Sequence, residues 1–195
     1  MKKTVTVVAM LTAIAAVTLI ACTDHKSTPA GEVAITQDSL VKRGSYLVNG
    51  MGCDDCHSPK KFGPNGPKID QEHRFGGHLS SIPLGKIDTA VFRQGWVMLT
   101  MDLTAAVGPW GISYAANISS DESGIGSWSE AQFVNALRHG KLKGMDESRS
   151  LLPPMPWQSY RLLSDTDIKS IFAYLKTSKP VANVVPAPVP ANQLK

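Results

Sequence analysis

The chain has 195 residues, of which 43% are hydrophobic and 18% are charged. This length predicts one domain with terminal segments, large enough to bury its own core. The formal net charge is +4, and Lys2 and Lys3 at the N-terminus contribute half of it. The remaining charge is small and dispersed, so we expect no nucleic-acid partner.

The N-terminal segment has the layout of a secretory signal peptide. Lys2 and Lys3 precede an apolar run from Val5 to Ile20, and small residues follow that run. A membrane-spanning helix is the alternative, but the run is near the lower limit of length for a span and is diluted by threonines. We therefore predict a signal peptide at residues 1–21.

Cys22 follows this segment in the sequence Leu19-Ile20-Ala21-Cys22, which resembles a bacterial lipobox. Cleavage would make Cys22 the first mature residue, and acyl chains on it would give a stable membrane anchor. The alternative is ordinary cleavage that leaves Cys22 as a thiol. Thr23 follows instead of an aspartate, and by resemblance to enterobacterial lipoproteins this favours the outer membrane over the inner one. We expect a lipid-anchored protein on the periplasmic side of a bacterial membrane.

The rest of the chain divides into three parts. Residues 22–37 contain few large apolar side chains and are predicted to form a flexible tether. Residues 38–180 are the predicted domain. Residues 181–195 form a Pro-rich C-terminal tail that cannot continue a helix, so it is extended, either along the domain or in solvent.

Three segments of the domain have helical periodicity. They are predicted to run from Ser39 to Asn49, from Ser129 to Gly140, and from Ser164 to a point before Pro180. Asp38 or Ser39 would cap the first helix, and Ser129 with Gln132 forms a capping box for the second. Residues 58–127 are rich in glycine and proline, and only Val97–Thr104 looks strand-like. We therefore predict a mainly α domain whose long loops are ordered by a large buried cofactor.

The sequence Cys53-Asp54-Asp55-Cys56-His57 is a C-x-x-C-H haem attachment motif. Two thiols at this spacing can form thioether bonds with the two vinyl groups of one haem. His57 then lies under the iron and supplies an imidazole ligand. The motif predicts one haem c, bound covalently through Cys53 and Cys56. The two acids inside it are either a solvated turn or charges that tune the potential or a docking face.

Two other uses of the cysteines remain open. Cys53 and Cys56 could form a redox disulfide, although that motif usually occurs beside a βαβ unit. They could also bind zinc together with His73 and His78, although the gap to His73 is slightly long for a finger.

A sixth ligand for the iron would come from a methionine or a histidine. The candidates are Met51, Met98, Met101, Met145, Met155, His25, His73, His78 and His139. Met155 is favoured because prolines on both sides stiffen the backbone that carries its thioether. Its alternative role is that of a core residue.

The chain resembles bacterial monohaem cytochromes c of class I, over about residues 40–186. The motifs that carry this resemblance are Gly44-Ser45-Tyr46-Leu47-Val48, Cys53 to Lys60, Gly108-Pro109-Trp110-Gly111, Asn117 to Asp121, Gly124 to Trp128, Pro153 to Trp157, and Phe172-Ala173-Tyr174-Leu175. The segments from Asn117 and from Gly124 also resemble the cytochrome subunits of membrane-bound alcohol and aldehyde dehydrogenases. Those subunits carry several haems, whereas this chain has one C-x-x-C-H motif.

The resemblance implies a class I cytochrome c fold, with three main helices and long loops wrapped around one haem. It places the second iron ligand at Met155, just before the last helix. It also implies that the first and last helices cross near a right angle, with Gly44 approached by Phe172 or Tyr174. Haem-pocket residues would be Trp128, Trp157 and Tyr160, whose alternative role is core packing.

These residues predict an exported electron-transfer protein that cycles haem c between Fe(II) and Fe(III) and exchanges electrons with redox protein partners. Axial ligation by His57 and Met155 fills both iron positions and raises the potential relative to two histidines. We therefore expect a carrier, not an enzyme. A peroxidase-like enzyme or a haem-based ligand sensor is the alternative if the sixth position is open or labile.

Overall fold

The structure, a computed structural model, describes residues 35–194. The predicted signal peptide, the lipobox with Cys22, His25 and most of the predicted tether lie outside these residues. Within residues 35–194, no helix combines the length and the apolar character needed to cross a bilayer.

The first and last long helices pack against each other. Helix α1 spans Gln37–Gly50 and helix α5 spans Asp165–Leu175. A Cβ atom on Gly44 would lie 1.9 Å from the Ser170 carbonyl oxygen and 2.7 Å from Tyr174 Cβ. Glycine therefore permits the contact between the two backbones, as the resemblance implied, with Tyr174 rather than Phe172 beside it.

The start of α1 differs from the prediction. Thr36 is the N-cap: its side chain accepts a hydrogen bond from the Ser39 N–H, and the Ser39 side chain accepts one from the Thr36 N–H. The helix thus begins two residues before the predicted start at Ser39. Ser39 does take part in the cap, at its third helical position rather than as the N-cap.

The middle long helix, α3, spans Glu130–His139 and matches the prediction closely. Ser129 and Gln132 form the expected capping box, and Gly140 ends the helix with a φ of 65°. Phe133, Ala136 and Leu137 are buried on one face. Two short helices were not predicted: α2 at Cys53–His57 and α4 at Trp157–Tyr160. Short 3₁₀ helices occur at Thr89–Gln94, Leu142–Gly144 and Ala191–Gln193.

Two small antiparallel sheets accompany the helices. One is the hairpin of β1 (Lys60–Gly63) and β2 (Gly66–Ile69), in which Lys60 is opposite Ile69. The other has the order β3-β4-β5-β6, with strands Met98–Leu99, Ala105–Gly108, Gly111–Tyr114 and Val189–Pro190. The fold is thus mixed helix and strand, and the prediction of a mainly α class is not confirmed. Of the strand-like Val97–Thr104, only Met98–Leu99 is a strand.

The Pro-rich segment after α5 lies along the domain. Val181 is buried, and Asn183 donates to the carbonyl oxygens of Gly76 at 2.8 Å and His78 at 2.9 Å. Val189–Pro190 then pairs with β5 as the edge strand β6. This segment holds the loop of residues 76–80 against the rest of the domain.

One apolar core joins α1, α3 and α5. Its buried residues are Leu47, Val48, Phe75, Ile125, Phe133, Leu137, Ile168, Ile171 and Leu175. The short helices α2 and α4 contribute partly buried side chains to the edge of this core. Four of the residues predicted to bind haem pack against this core: Cys53, Trp128, Met155 and Tyr160.

Candidate functional site

Helix α2 is a single turn that carries the whole C-x-x-C-H motif. Gly52, with a φ of 70°, turns the chain out of α1 and into α2. Residues three apart on a helix face the same side, so Cys53 and Cys56 project together. Both are half-buried free thiols. Their spacing and free state fit the formation of two thioether bonds with one porphyrin.

The local environment keeps these thiols protonated. Burial, followed by the Asp54 carboxylate, raises the pKa of Cys53 to about 11. Burial also raises the pKa of Cys56. Reactive dithiols of the thioredoxin type have lowered pKa values instead. The cysteines therefore do not have the character expected of a redox disulfide.

His57 is oriented by one hydrogen bond. Its Nδ1 lies 2.7 Å from the Ala116 carbonyl oxygen, and because a carbonyl only accepts, Nδ1 carries the proton. Nε2 is then the unprotonated nitrogen, which is the form that binds a metal. Burial lowers the pKa of His57, which also favours the neutral imidazole.

The backbone around His57 is held by a close approach of two loops. Gly77 donates its N–H to the His57 carbonyl oxygen at 2.9 Å. Gly77 has a φ of 70°, and a Cβ there would lie 2.4 Å from the Ala115 carbonyl oxygen. The residue next to Ala115 is Ala116, the partner of the imidazole. Glycine at position 77 therefore brings both hydrogen-bonding partners of His57 into place.

Asp54 is buried and paired, which corrects the interpretation of Asp54 and Asp55 as a solvated turn. Its carboxylate accepts from Ser58 Oγ at 2.7 Å and from Arg74 Nε and Nη2 at 3.0 and 2.7 Å. Arg74 also donates to Asn49 Oδ1 at 2.9 Å, which links the pair to α1. Only Asp55 is exposed. One acid of the motif thus anchors α2 to the domain.

The histidines proposed as zinc ligands are engaged elsewhere. His78 is 1% exposed, and its ring nitrogens bond to Thr104 Oγ1 at 2.8 Å and to the Ile82 carbonyl oxygen at 3.0 Å. His73 Nδ1 pairs with Asp70 Oδ2 at 2.7 Å. Within residues 35–194, the metal-ligating side chains that converge are Asp70, Glu72 and His73, without a cysteine. A zinc site built from Cys53, Cys56, His73 and His78 is therefore not formed.

Met155 is half-buried at the edge of the core that Cys53 also contacts. Two bonds hold its loop: Ser113 Oγ donates to the Pro153 carbonyl oxygen at 2.5 Å, and the Leu151 N–H donates to the Gly140 carbonyl oxygen at 2.7 Å. The rival Met145 is 57% exposed and Met101 is 80% exposed. The packing favours Met155 among these three methionines.

The three aromatic residues predicted for the haem pocket divide into two groups. Trp128 and Tyr160 pack against the same core as Cys53 and Met155. Burial is the main cause of the raised pKa of Tyr160, and the charges of ionised Cys53, Cys56 and Asp55 would raise it further. Trp157 instead stacks on Gly140, where a Cβ would lie 2.4 Å from its ring.

Comparison with known proteins finds similarity to cytochrome subunits of dehydrogenases. The chain is 34% identical to the gluconate 2-dehydrogenase cytochrome c subunit of Pantoea cypripedii, over 70% of this chain and 23% of that protein. It is 31% identical to the fructose dehydrogenase cytochrome subunit of Gluconobacter japonicus, over 94% of this chain and 30% of that protein. The chain is related to dehydrogenase cytochrome c subunits.

A third relative supports this relationship. The cytochrome c subunit of the quinone-type alcohol dehydrogenase of Gluconobacter oxydans is 28% identical, over 74% of this chain and 23% of that protein. No protein-family model matches the chain. The chain spans roughly a quarter of the length of these cytochrome subunits.

Sequence reasoning missed two charged residues of this cytochrome-related site. Arg74 pairs with Asp54 across 20 residues of sequence, and no local pattern connects them. Lys60, adjacent to the motif, donates to several backbone carbonyls at the end of α2. Its position three residues after His57 was the one signal in the sequence that could have predicted this role, because basic residues stabilise the C-terminal ends of helices.

Proposed function

We propose that this chain is an exported electron carrier with a class I cytochrome c fold and one covalent haem c. The observation that carries the proposal is helix α2, which presents two free thiols on one face and an imidazole whose Nδ1 is fixed by the Ala116 carbonyl. When bound, haem c supplies an iron that accepts and releases one electron. Cys53 and Cys56 would hold it covalently, and His57 Nε2 would be the fifth ligand.

Met155 is the proposed sixth ligand. Its packing against the same core as Cys53 supports this role, as do the hydrogen bonds that fix the loop before it. A methionine thioether together with a histidine imidazole would favour the reduced iron. If His57 and Met155 both held the iron, no substrate would reach the metal, and the site would suit electron transfer rather than peroxidase chemistry or ligand sensing.

The relatives indicate the kind of redox partner. Each of the three is named as the cytochrome subunit of a dehydrogenase, which is an electron-carrying rather than a substrate-oxidising component. We propose that this chain receives electrons from a dehydrogenase and passes them to a second redox protein. The Trp128 and Tyr160 side chains would form part of the apolar surroundings of the haem.

The test of this function compares two methionines. In Met155→Ala, the iron should become high-spin, the potential should fall, and carbon monoxide should bind the ferrous form readily. Met145→Ala is the matched control, because Met145 is exposed and close in sequence. Absorption spectra of both variants decide: loss of the methionine-to-iron charge-transfer band only in Met145→Ala would assign the ligand to Met145. An unchanged spectrum in both variants would refute ligation by Met155 and by Met145.

The proposed location rests on the sequence before residue 35. We propose that residues 1–21 direct export and that Cys22 carries lipid. The predicted tether of residues 22–37 is shorter than expected, because Thr36 is the N-cap of α1 and Gln37 is its first residue, and we propose that the residues before Thr36 link the domain to the periplasmic side of the outer membrane. Replacement Cys22→Ser should release the protein from the membrane fraction or block its processing. An unchanged size and an unchanged membrane pellet would contradict lipidation of Cys22.

A further inference from the structure

The carbonyl groups at the end of helix α2 converge on one side chain. The last carbonyls of a helix have no intrahelical partners, and α2 ends directly at His57. Lys60 Nζ donates to the carbonyl oxygens of Asp54 at 3.2 Å and Ser58 at 3.0 Å, and to that of Asp55. One ammonium group therefore contacts two carbonyls of the helix that carries the cysteines and the carbonyl that directly follows this helix.

The same ammonium reaches a second element. Lys60 Nζ donates to the Asp102 carbonyl oxygen at 2.7 Å. Asp102 lies in the turn between β3 and β4, in which Leu103 has a φ of 62°. Lys60 thus connects the haem attachment helix to the four-stranded sheet.

The charge of Lys60 is not consumed by an ion pair. The ion pairs found within residues 35–194 do not include Lys60, although they include its neighbour. Lys61 pairs with Asp70 at 2.9 Å, and its side chain is 66% exposed. Lys60 is half-buried, so its charge is screened less by solvent than that of Lys61.

This charge lies directly beside the attachment motif. The Ser58 carbonyl that Lys60 Nζ contacts at 3.0 Å belongs to the residue after His57. The Asp54 and Asp55 carbonyls that it also contacts lie within the motif itself. A cation in this position disfavours additional positive charge on the neighbouring groups.

We propose that Lys60 is a positioning residue that caps the haem attachment helix and, through its charge, favours the ferrous over the ferric state. The inference rests on the proposed function, since it requires haem at Cys53 and Cys56. The ferric state has one more positive charge than the ferrous state, so an unpaired cation beside His57 raises the potential. The ammonium also fixes the direction in which α2 presents the imidazole.

The experiment compares Lys60→Met, Lys60→Arg and Lys61→Met in the full chain. Redox titration of the haem-loaded proteins should show that Lys60→Met lowers the ferrous-to-ferric ratio at a fixed applied potential by about threefold or more. Lys60→Arg keeps the charge and should stay within twofold of the parent, as should Lys61→Met. A Lys60→Met ratio equal to that of Lys61→Met would overturn the proposal.

Loss of haem attachment gives an equally clear result. If Lys60→Met fails to retain haem on a denaturing gel while Lys60→Arg retains it, the positioning role is supported. If both variants lose haem equally, the charge is not the determinant and the proposal is refuted. If the parent itself lacks covalent haem, the proposed function fails. A denaturation midpoint for Lys60→Met no lower than that of the parent would then refute the capping role too.

Discussion

The ion pair of Asp54 and Arg74 leads to a prediction about folding stability. Asp54→Asn removes the negative charge and keeps the side-chain shape. The amide oxygen can still accept one bond, but it cannot receive the guanidinium on two oxygens as the carboxylate does at 3.0 and 2.7 Å. The Arg74 charge, with a side chain only 26% exposed, is left without its counter-ion.

The expected cost follows from the burial of the two partners. Breaking a fully buried pair by removing one partner costs about 3–5 kcal/mol. Arg74 retains some access to water, and Asn49 Oδ1 still accepts one of its bonds. We therefore expect Asp54→Asn to lower the free energy of unfolding by about 2–3 kcal/mol, in the range of lost hydrogen bonds to a charged group.

The neighbouring acid provides the control. Asp55 is exposed in the same helix, so Asp55→Asn should change the free energy of unfolding by less than about 0.5 kcal/mol. Guanidinium denaturation of both haem-loaded variants, followed by circular dichroism, measures the difference. If the two variants are equally stable, Asp54 does not anchor α2, and our interpretation of the pair is wrong.

Two further predictions concern the scaffold. Gly44→Ala places a methyl group 1.9 Å from the Ser170 carbonyl oxygen and should destabilise the domain by about 2–3 kcal/mol in denaturation experiments. The control Gly50→Ala, whose methyl group would have no neighbour within 4 Å, should be neutral or stabilising. Equal effects of the two substitutions would contradict the close contact between α1 and α5. Burial opposes ionisation of Asp70, but bonds from His73 and Lys61 more than offset it and lower its pKa to about 2. Its stabilising contribution is then complete above the unfolded pKa of about 4 and is lost as the pH falls towards 2. Asp70→Asn should therefore lower the denaturation midpoint at pH 7 but scarcely at pH 2, and a deficit of the same size at both pH values would refute this assignment.

The long helices could be predicted because their signals are local. The Ser129 capping box, Gly140 and the periodic apolar residues of α5 act within a few residues of each other, and the structure places them as expected. The start of the first helix was predicted two residues late, because Asp38 and Ser39 are also suitable N-cap residues. In the structure Thr36 is the N-cap and Ser39 completes the capping box. Boundaries of this kind depend on which of several competent side chains forms the cap.

The strands and the charged contacts could not be predicted in the same way. β4 and β5 each have only four residues, too few to establish a period, although Gly108 and Gly111 flank the turn between them. The Asp54–Arg74 pair and the Lys60–Asp102 contact join segments that are distant in sequence. The attachment motif could be recognised in the sequence because its chemistry requires cysteines and a histidine at fixed, short spacing. The contacts that support the motif join distant segments and therefore depend on the tertiary fold.

Asn183 couples a distant part of the chain to the proposed iron ligand. Its amide donates to two carbonyls of residues 76–80 and accepts from the Ser80 N–H at 3.1 Å, so the segment cannot detach without leaving these polar groups unpartnered. We therefore expect residues 76–80 to open together with residues 181–190. Gly77, whose N–H bonds to the His57 carbonyl oxygen, lies within residues 76–80. The backbone beside the imidazole thus depends in part on a proline-rich segment more than a hundred residues away in the sequence.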